Sequence, residues 1–296
     1  MGHPPTTPRP TLRFRFVARI AIILIRLVRW RVRTRGLEHV PKHGGAVITW
    51  NHHSYVDELL VVWDIYRVLD RSGRYLAKSE LWRSWSTRWA VELAEAVKVE
   101  RGSGEGRARS LSAAVEALRE GHLVMVAPEG TISQSFELLP FRAGAVRMAQ
   151  AAGVPIIPSV SWGSHRLVTK GHGFKLRRGY RIPIEISYGP PIHVGPDDDP
   201  YAVTARLRAE MAALLDEIQR EYPDGTPAGA WWVPARFGGG APPPTDDPDR
   251  GSSHPLPGEL DRPVSRPQSG GSEAPVPRAQ PVDEAPSEAS AERPPP

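Results

Sequence analysis

Short β-branched runs alternate with helix-like patterns through the middle of the chain. Apolar residues recur at helical spacing before Gly121 and again across residues 201–221, which predicts helices there. This alternation is typical of an α/β fold, and we predict a mixed β-sheet flanked by helices. The predicted strands span residues 46–50, 74–77, 96–100, 123–127, 154–160 and 182–188.

Residues 9–35 form a basic and apolar arm ahead of this region. The arm holds nine arginines and no acidic residue, with bulky aliphatic and aromatic residues between them. On a continuous helix, part of the arginine set falls within about 40° of one line. That set is Arg15, Arg19, Arg26, Arg29 and Arg33. The pattern predicts an amphipathic N-terminal helix with a basic stripe.

The apolar part of this arm is too short to span a bilayer. A spanning helix needs about 20 predominantly apolar residues, whereas the longest uninterrupted run, residues 20–25, has six. We therefore expect a peripheral or monotopic membrane association with anionic lipids on the cytoplasmic face of the cell membrane. A basic helix packed on the domain, or a nucleic-acid-binding arm, would also fit the arginines. The bulky Ile and Leu residues favour lipid, and we expect no nucleic-acid partner.

Composition separates a C-terminal tail from the rest of the chain. Between residues 241 and 296, 15 of 56 residues are proline and none is aromatic, so we expect this segment to be disordered. The tail has a net charge of −5, which leaves +10 on the first 240 residues and favours an anionic partner. We predict three parts: an interfacial arm (1–35), a folded domain (36–240) and the tail (241–296). The absence of cysteine excludes disulfides, thiol nucleophiles and thiolate metal sites.

The first polar cluster, residues 51–57 (Asn-His-His-Ser-Tyr-Val-Asp), follows the predicted strand 46–50. In open α/β sheets, sites tend to lie just past the carboxyl ends of strands. Ser54 and Asp57 could form a helix capping box, which would explain Asp57 without a histidine. Two histidines and an acid could also bind a metal, although no third ligand cluster at zinc-like spacing follows. The remaining interpretation is a His–Asp dyad, in which the carboxylate orients the imidazole and stabilises the imidazolium.

Two weaker clusters follow later predicted strands. Residues 96–104 end a strand at Arg101 and continue into a glycine-containing loop, although an arginine there could simply be solvated. Residues 127–133 (Ala-Pro-Glu-Gly-Thr-Ile-Ser) follow an apolar run, and Pro and Gly there could mark an ordinary turn.

Taken in order, these clusters resemble the motifs of the glycerolipid acyltransferase family, which includes the 1-acylglycerol-3-phosphate acyltransferases. The family's first motif is Asn-His, four residues and Asp, and only His52 has that separation from Asp57. Residues 99–101 are similar to its second motif, and residues 127–133 to its third, Phe-Pro-Glu-Gly-Thr-Arg-Ser. The segments 141–144, 154–158 and 188–192 also look like family segments. The resemblance covers residues 36–221.

The resemblance implies an O-acyltransferase. His52 would be the general base that takes a proton from the acceptor hydroxyl, and Asp57 would orient its imidazole. The acyl donor would be a thioester, acyl-CoA or acyl-carrier protein, and the acceptor 1-acyl-glycerol-3-phosphate, giving phosphatidic acid. No cofactor and no metal is implied. The implied substrate-binding residues are Arg101 for the acceptor's phosphate, Glu129, Gly130, Thr131 and the downstream basic residue Arg142.

One departure from the family pattern leaves the acceptor open. Ile132 stands where the third motif usually has arginine, which removes a cation near the acceptor's phosphate. The same chemistry on another lysophospholipid or on a glycosylated phosphoinositide is therefore an alternative. A non-catalytic membrane-binding scaffold is an alternative of another class, and the spacing of His52 and Asp57 speaks against it.

Overall fold

The computed structural model describes residues 7–85, 88, 91–92, 96–99 and 104–244. Arg101, which carries the predicted phosphate contact, lies outside the described residues, and so does the predicted tail beyond residue 244. The division into arm, domain and tail stays a prediction.

Within the described residues, seven strands form one sheet in the order β1-β7-β6-β2-β5-β3-β4. Neighbouring strands are parallel except for β6 and β7, which are antiparallel. The predicted mixed sheet is thereby confirmed. The strands are β1 (Arg31–Arg35), β2 (Ala46–Thr49), β3 (Gly73–Lys78), β4 (Val97–Val99), β5 (Leu123–Val126), β6 (Ile156–Trp162) and β7 (Pro183–Tyr188).

Helices cover both faces of this sheet, which is why the central strands are apolar on both sides. On one face, α1 and α2 pack over Ile48 and Ile184. On the other face, α3, α4 and α6 pack over Val47 and Val124. The helices are α1 (Leu12–Leu27), α2 (Asp57–Leu69), α3 (Gly104–Arg119), α4 (Gly144–Ala152), the short α5 (Leu176–Gly179) and α6 (Pro200–Arg220).

The strand β1 corrects the sequence prediction for the N-terminal arm. The helix does not continue to Arg35 but ends at Leu27, and Arg33 lies in β1. Arg29 adopts a left-handed conformation (φ 54°), and the N–H of Trp30 bonds back to the carbonyl of Ile25, which closes the last turn. Glycine usually occupies such a position, so the sequence carried no ordinary stop signal. Only the first three arginines of the predicted stripe lie on α1.

The helix α1 has a buried face and an exposed apolar face. Phe14 packs edge-on against Tyr66 of α2, with ring centroids 5.4 Å apart, and Arg15 pairs with Asp70 at 3.0 Å. The exposed set is Leu12, Phe16, Ile20, Ile23, Leu24 and Leu27. At 100° per residue this set covers about a third of the helix circumference, opposite the buried face. Among the described residues, no helix is both long enough and apolar enough to cross a membrane.

The topology places three carboxyl strand ends at one edge of the sheet. The strand β2 lies between β5 and β6 and is parallel to both, so the three carboxyl ends lie side by side. The segments that follow them contain the first predicted motif, the third predicted motif and the loop that starts at Gly163. This edge is therefore where the candidate site residues meet.

Candidate active site

The side chain of Asn51 fixes the turn that follows β2. Its Oδ1 accepts from the N–H of Ser161 at 2.7 Å, and its Nδ2 donates to the carbonyl of the same residue at 3.0 Å. Asn51 thus joins the end of β2 to β6. The Nδ2 group also donates to Nδ1 of His53 at 2.9 Å, which holds His53 inside the protein. Adjacent side chains diverge, so His52 is the histidine left with an accessible imidazole.

His52 and Asp57 lie close together at the start of α2. The distance from His52 Nδ1 to Asp57 Oδ2 is 3.9 Å, which is longer than a hydrogen bond but close enough for a strong electrostatic interaction. Nδ1 is buried, while the His52 side chain as a whole is 18% exposed. The second ring nitrogen, Nε2, is therefore the one available to a ligand at the protein surface.

The carboxylate of Asp57 accepts four hydrogen bonds from the protein. Oδ2 accepts from the N–H groups of His53 at 2.7 Å and Ser54 at 2.6 Å. Oδ1 accepts from the hydroxyls of Ser161 and Ser164. The bond from the N–H of Ser54 is one that a capping box would contain. However, α2 begins at Asp57 with Val56 as its N-cap and no side-chain cap, so the predicted capping box is not formed. Asp57 is the first residue of α2 and faces His52.

These contacts polarise the pair in the direction that a dyad requires. Burial opposes a charge on His52, but Asp57, with the nearby carboxylates of Glu58 and Glu129, outweighs it, and the pKa of His52 is raised. Burial likewise opposes ionisation of Asp57, yet His52 and Ser164 prevail, and its pKa is lowered. Asp57 therefore stays ionised and favours the imidazolium form of His52.

His53 has the opposite environment. It is completely buried, with its ring edge-on to Phe136 and Trp162 at centroid distances of 5.9 and 5.8 Å. Burial lowers the pKa of His53 to about 4. A histidine with so low a pKa is a weak base, and this one is shielded from any bound substrate, so His53 is a core residue.

Glu129 braces the backbone of His52. The residue is buried, and its Oε1 accepts from the N–H of His52 at 2.9 Å while Oε2 accepts from the N–H of Leu139 at 2.9 Å. Burial raises the pKa of Glu129 to about 7. The carbonyl of His52 accepts in turn from the N–H of Ser133 at 2.8 Å. The third motif therefore holds the first motif in place, and the contact of Glu129 with substrate stays a prediction.

Gly130 and Thr131 belong to the third motif, and Arg142 lies next to Gly130. Gly130 adopts a left-handed conformation (φ 70°), and the guanidinium of Arg142 lies against it. The Arg142 side chain is exposed, and it has no ion pair with a described residue. Thr131 is half-buried, and Ile132 is buried. The structure thus places a free guanidinium beside the motif in which Ile132 replaces arginine.

Sequence reasoning missed the loop after β6, which supplies Ser164. Gly163 has a φ of 105°, and a Cβ at this position would come within 2.3 Å of the carbonyl oxygen of Pro183. Only glycine fits this turn, which brings Ser164 to Asp57. The Gly-Ser pair directly after an apolar strand was the available signal. Across the described ranges, no group of three His, Asp or Glu side chains is arranged to hold a metal ion.

The same loop carries a second unpredicted group. Thr169 Oγ1 donates to the carbonyl of His53, and Ser54 Oγ donates to the carbonyl of Val168 at 2.7 Å. Lys170 follows, and its Nζ is buried without a hydrogen-bond partner among the described residues. Burial lowers the pKa of Lys170. The loop therefore packs directly on the His52–His53 turn and brings a cation to this edge of the sheet.

The chain is similar to curated proteins named 1-acyl-sn-glycerol-3-phosphate acyltransferase. The 1-acyl-sn-glycerol-3-phosphate acyltransferase of Limnanthes douglasii is 30% identical over 191 residues, which cover 63% of this chain and 64% of the relative. The human alpha enzyme of that name is 31% identical over 195 residues, covering 64% of this chain and 66% of the relative. A probable enzyme of that name from Mycoplasma pneumoniae is 28% identical, covering 62% and 67%. The chain thus spans about two thirds of the length of each of these relatives.

The fold is also similar to a solved structure. The crystal structure of the 1-acyl-sn-glycerophosphate acyltransferase PlsC from Thermotoga maritima matches with a TM-score of 0.56 and 22% identity. The match covers 69% of this chain and 79% of that one. Residues 31–162 match the family model described as Acyltransferase. That range contains the His52–Asp57 pair and the Glu129 turn, and over it the chain is similar to the acyltransferase family.

Proposed function

We propose that this protein transfers a fatty acyl group from a thioester to the free hydroxyl of 1-acyl-glycerol-3-phosphate, which gives phosphatidic acid. The observation that carries the proposal is the His52–Asp57 pair, with its buried Nδ1 facing an ionised carboxylate. The names of the relatives support the acceptor.

The geometry supports a direct transfer. Nε2 of His52 accepts the proton of the acceptor hydroxyl while the hydroxyl oxygen attacks the thioester carbonyl carbon. The tetrahedral intermediate collapses, the carbon–sulfur bond breaks, and the thiolate takes the proton from the imidazolium. Asp57 stays ionised throughout and stabilises the imidazolium. A thiol nucleophile is impossible in a chain without cysteine, and neither metal nor cofactor is needed for this sequence of steps.

A second acceptor class is favoured by one observation. Ile132 is buried and apolar where the third motif usually has arginine, so position 132 itself offers no guanidinium to a phosphate monoester. A different lysophospholipid or a glycosylated phosphoinositide would use the same His52 chemistry. The decisive experiment incubates purified protein with radiolabelled acyl-CoA and a panel of lysolipid acceptors and separates the products by chromatography. Acylation of lysophosphatidic acid in preference to the other acceptors supports the proposal, and absence of any acylated product contradicts it.

Arg142 is expected to contribute to holding the acceptor's phosphate. Its guanidinium lies beside Gly130 and has no competing ion pair with a described residue. Loss of a charge-assisted bond costs about 1.5 to 3 kcal/mol, so Arg142→Ala should raise the KM for lysophosphatidic acid by roughly 10- to 150-fold. The KM for acyl-CoA should change little. Arg147→Ala, which removes an exposed arginine in contact with Tyr201, is the matched control.

The KM for lysophosphatidic acid also distinguishes the contribution of Arg142 to phosphate binding from that of Arg101. Arg101 remains the main phosphate ligand predicted from the family resemblance, and Arg101→Ala is measured in the same way. An unchanged KM for lysophosphatidic acid in Arg142→Ala, together with a raised KM in Arg101→Ala, would remove Arg142 from the binding site.

We infer that α1 also places the protein on an anionic bilayer at the cytoplasmic face. Deleting residues 1–35 would test this poorly, because β1 and the buried face of α1 belong to the folded domain. Replacement of Phe16, Ile20 and Leu24 by serine changes only exposed side chains. Each apolar side chain that enters lipid contributes about 1.5 kcal/mol or more, so vesicle binding should weaken by about tenfold or more for each of the three replacements.

Two controls accompany this membrane prediction. Tyr201→Ser replaces an exposed side chain on α6, which packs on the other face of the sheet, and it should leave vesicle binding unchanged. Raising the salt concentration should weaken binding of the intact protein because the α1 arginines are screened. Full vesicle binding by the triple variant would show that the exposed face of α1 does not contact lipid.

A further inference from the structure

The segment between the Thr169–His172 hairpin and β7 exposes apolar and basic side chains together. In residues 173–181 (Gly-Phe-Lys-Leu-Arg-Arg-Gly-Tyr-Arg), Phe174 is 63% exposed, Leu176 is 53% exposed and Tyr180 is 46% exposed. The residues between and after them are largely basic. No acidic residue occurs between positions 163 and 184. Such interleaving on the surface of a folded domain is typical of a segment that contacts an anionic apolar partner.

Three basic residues of this segment have no ion pair with a described residue, whereas its backbone is anchored. Lys175, Arg177 and Arg181 form no ion pair with a described residue. The N–H of Lys175 donates to the carbonyl of Leu167 at 3.1 Å, and the N–H of Arg181 donates to the carbonyl of Val28 at 2.8 Å. The backbone of the segment is therefore hydrogen-bonded to the rest of the domain at both positions.

These anchors place one end of the segment beside the carboxyl end of α1 and the preceding hairpin beside the active site. Val28 directly follows α1, so the segment adjoins the helix end that exposes Leu24 and Leu27. At its other end, the hairpin contacts the carbonyl of His53 through Thr169. The segment thus connects the candidate membrane face of α1 to the strand edge that carries His52.

A surface cavity of about 310 Å³ lies next to the segment. Its lining combines two arginines with three aromatic residues: Arg166, Arg177, Tyr180, Trp231 and Trp232. Tryptophan and tyrosine concentrate at the headgroup level of membranes, where their rings are apolar and their polar atoms reach water. Arginine is the side chain best suited to a phosphate diester or monoester. Arg166 is already paired with Asp224, and Trp232 is buried in the core. The exposed Arg177 and Tyr180 are therefore the lining residues that a bilayer surface would contact.

We propose that residues 173–181 are a second membrane-contacting element, which binds an anionic bilayer jointly with the exposed face of α1. This proposal rests on the lipid acceptor of the proposed function. Two contacts at one edge orient the protein, so that the carboxyl ends of β2 and β5 face the lipid surface. A lysolipid then reaches His52 from the bilayer without dispersing in water.

The absence of cysteine allows a direct test. Leu176→Cys in the full chain is labelled with an environment-sensitive fluorophore and mixed with vesicles of phosphatidylcholine and phosphatidylglycerol. The emission should rise and shift to shorter wavelength, and a nitroxide placed within the acyl chains should quench it. Leu24→Cys reports the contact of α1 in the same way. Tyr201→Cys, an exposed position on α6, should not respond.

A response at position 24 without a response at position 176 would overturn the proposal while leaving the contact of α1 intact. Vesicle binding is measured without substrate, so a failure of the proposed acyl transfer would not alter this readout. The double variant Lys175→Gln/Arg177→Gln gives a second measurement. Each basic residue near an anionic surface contributes about a fivefold increase in binding, so binding should fall roughly 25-fold. Unchanged vesicle binding, with loss of self-association in sedimentation, would instead identify the segment as a contact between copies of the chain.

Discussion

His52→Ala should lower kcat by roughly 10² to 10⁴-fold, the usual contribution of a positioned general base. The imidazole is the group at this edge whose buried nitrogen faces an ionised carboxylate while the rest of the ring reaches the surface. The fold should survive, because the substitution keeps the backbone of residue 52, whose N–H donates to the Glu129 carboxylate and whose carbonyl accepts from the N–H of Ser133. The measurement is initial-rate kinetics with lysophosphatidic acid and acyl-CoA, together with circular dichroism.

His53→Asn is the matched control for this experiment. It replaces the adjacent histidine and leaves an acceptor where His53 Nδ1 receives the bond from Asn51. His53 is buried among aromatic rings, so its replacement should lower the melting temperature and reduce turnover only a few-fold per folded molecule. Equal losses of turnover in the two variants, with both folded, would show that the spacing of the motif does not identify the base.

The sequence predicts the sheet well because the strands that cross the core carry apolar residues on both faces. All six predicted strands correspond to observed strands, from β2 to β7. β1 was missed because its alternate positions are arginines, and an edge strand buries only one partial face. The arginines of β1 find partners that are distant in sequence: Arg35 pairs with Glu217 and Glu221 of the C-terminal helix region. Contacts of that kind leave no local pattern.

The candidate site likewise has features that the sequence predicts and features that depend on contacts distant in the chain. The separation of His52 from Asp57 is a local feature, since Asp57 is the first residue of α2 and His52 lies five positions before it, and the family resemblance was sufficient to pair them. Ser164 reaches Asp57 from a loop more than 100 positions later, and only the turn at Gly163 brings it there. The sequence also could not predict that Glu129 binds the His52 backbone. A carboxylate in a turn motif is equally compatible with binding a substrate.

Replacement of the Asp57 carboxylate is expected to have the second largest effect on kcat. Asp57→Asn should reduce kcat by roughly 10- to 10³-fold, less than His52→Ala, because the base remains but its imidazolium loses the facing charge. Asparagine can retain much of the local structure: its Oδ1 accepts from the N–H groups of His53 and Ser54, and the hydroxyl of Ser164 can accept from its Nδ2. The kinetic loss should therefore exceed any loss of folded protein.

The dependence of activity on pH makes this test specific. The carboxylate of Asp57 is the main group that raises the pKa of His52 against its burial, so removing the charge lowers that pKa. A base works only when it is deprotonated, and the acid limb of the kcat profile should move to lower pH in Asp57→Asn as the maximum falls. Asp57 also makes the stability of the fold depend on pH. Because its pKa is lowered in the folded protein, the ionised carboxylate stabilises the fold at neutral pH, and that contribution is lost as the pH falls through the lowered pKa.

Asp64→Asn supplies a control on the same helix. Asp64 is another fully buried carboxylate of α2, and it binds the hydroxyls of Thr34 and Tyr188 and the guanidinium of Arg67, none of them at the candidate site. Its replacement should lower the melting temperature and leave the pH profile of kcat in place. If Asp57→Asn instead behaves like Asp64→Asn, with activity following the folded fraction and an unmoved acid limb, Asp57 only begins the helix and His52 works without a carboxylate partner.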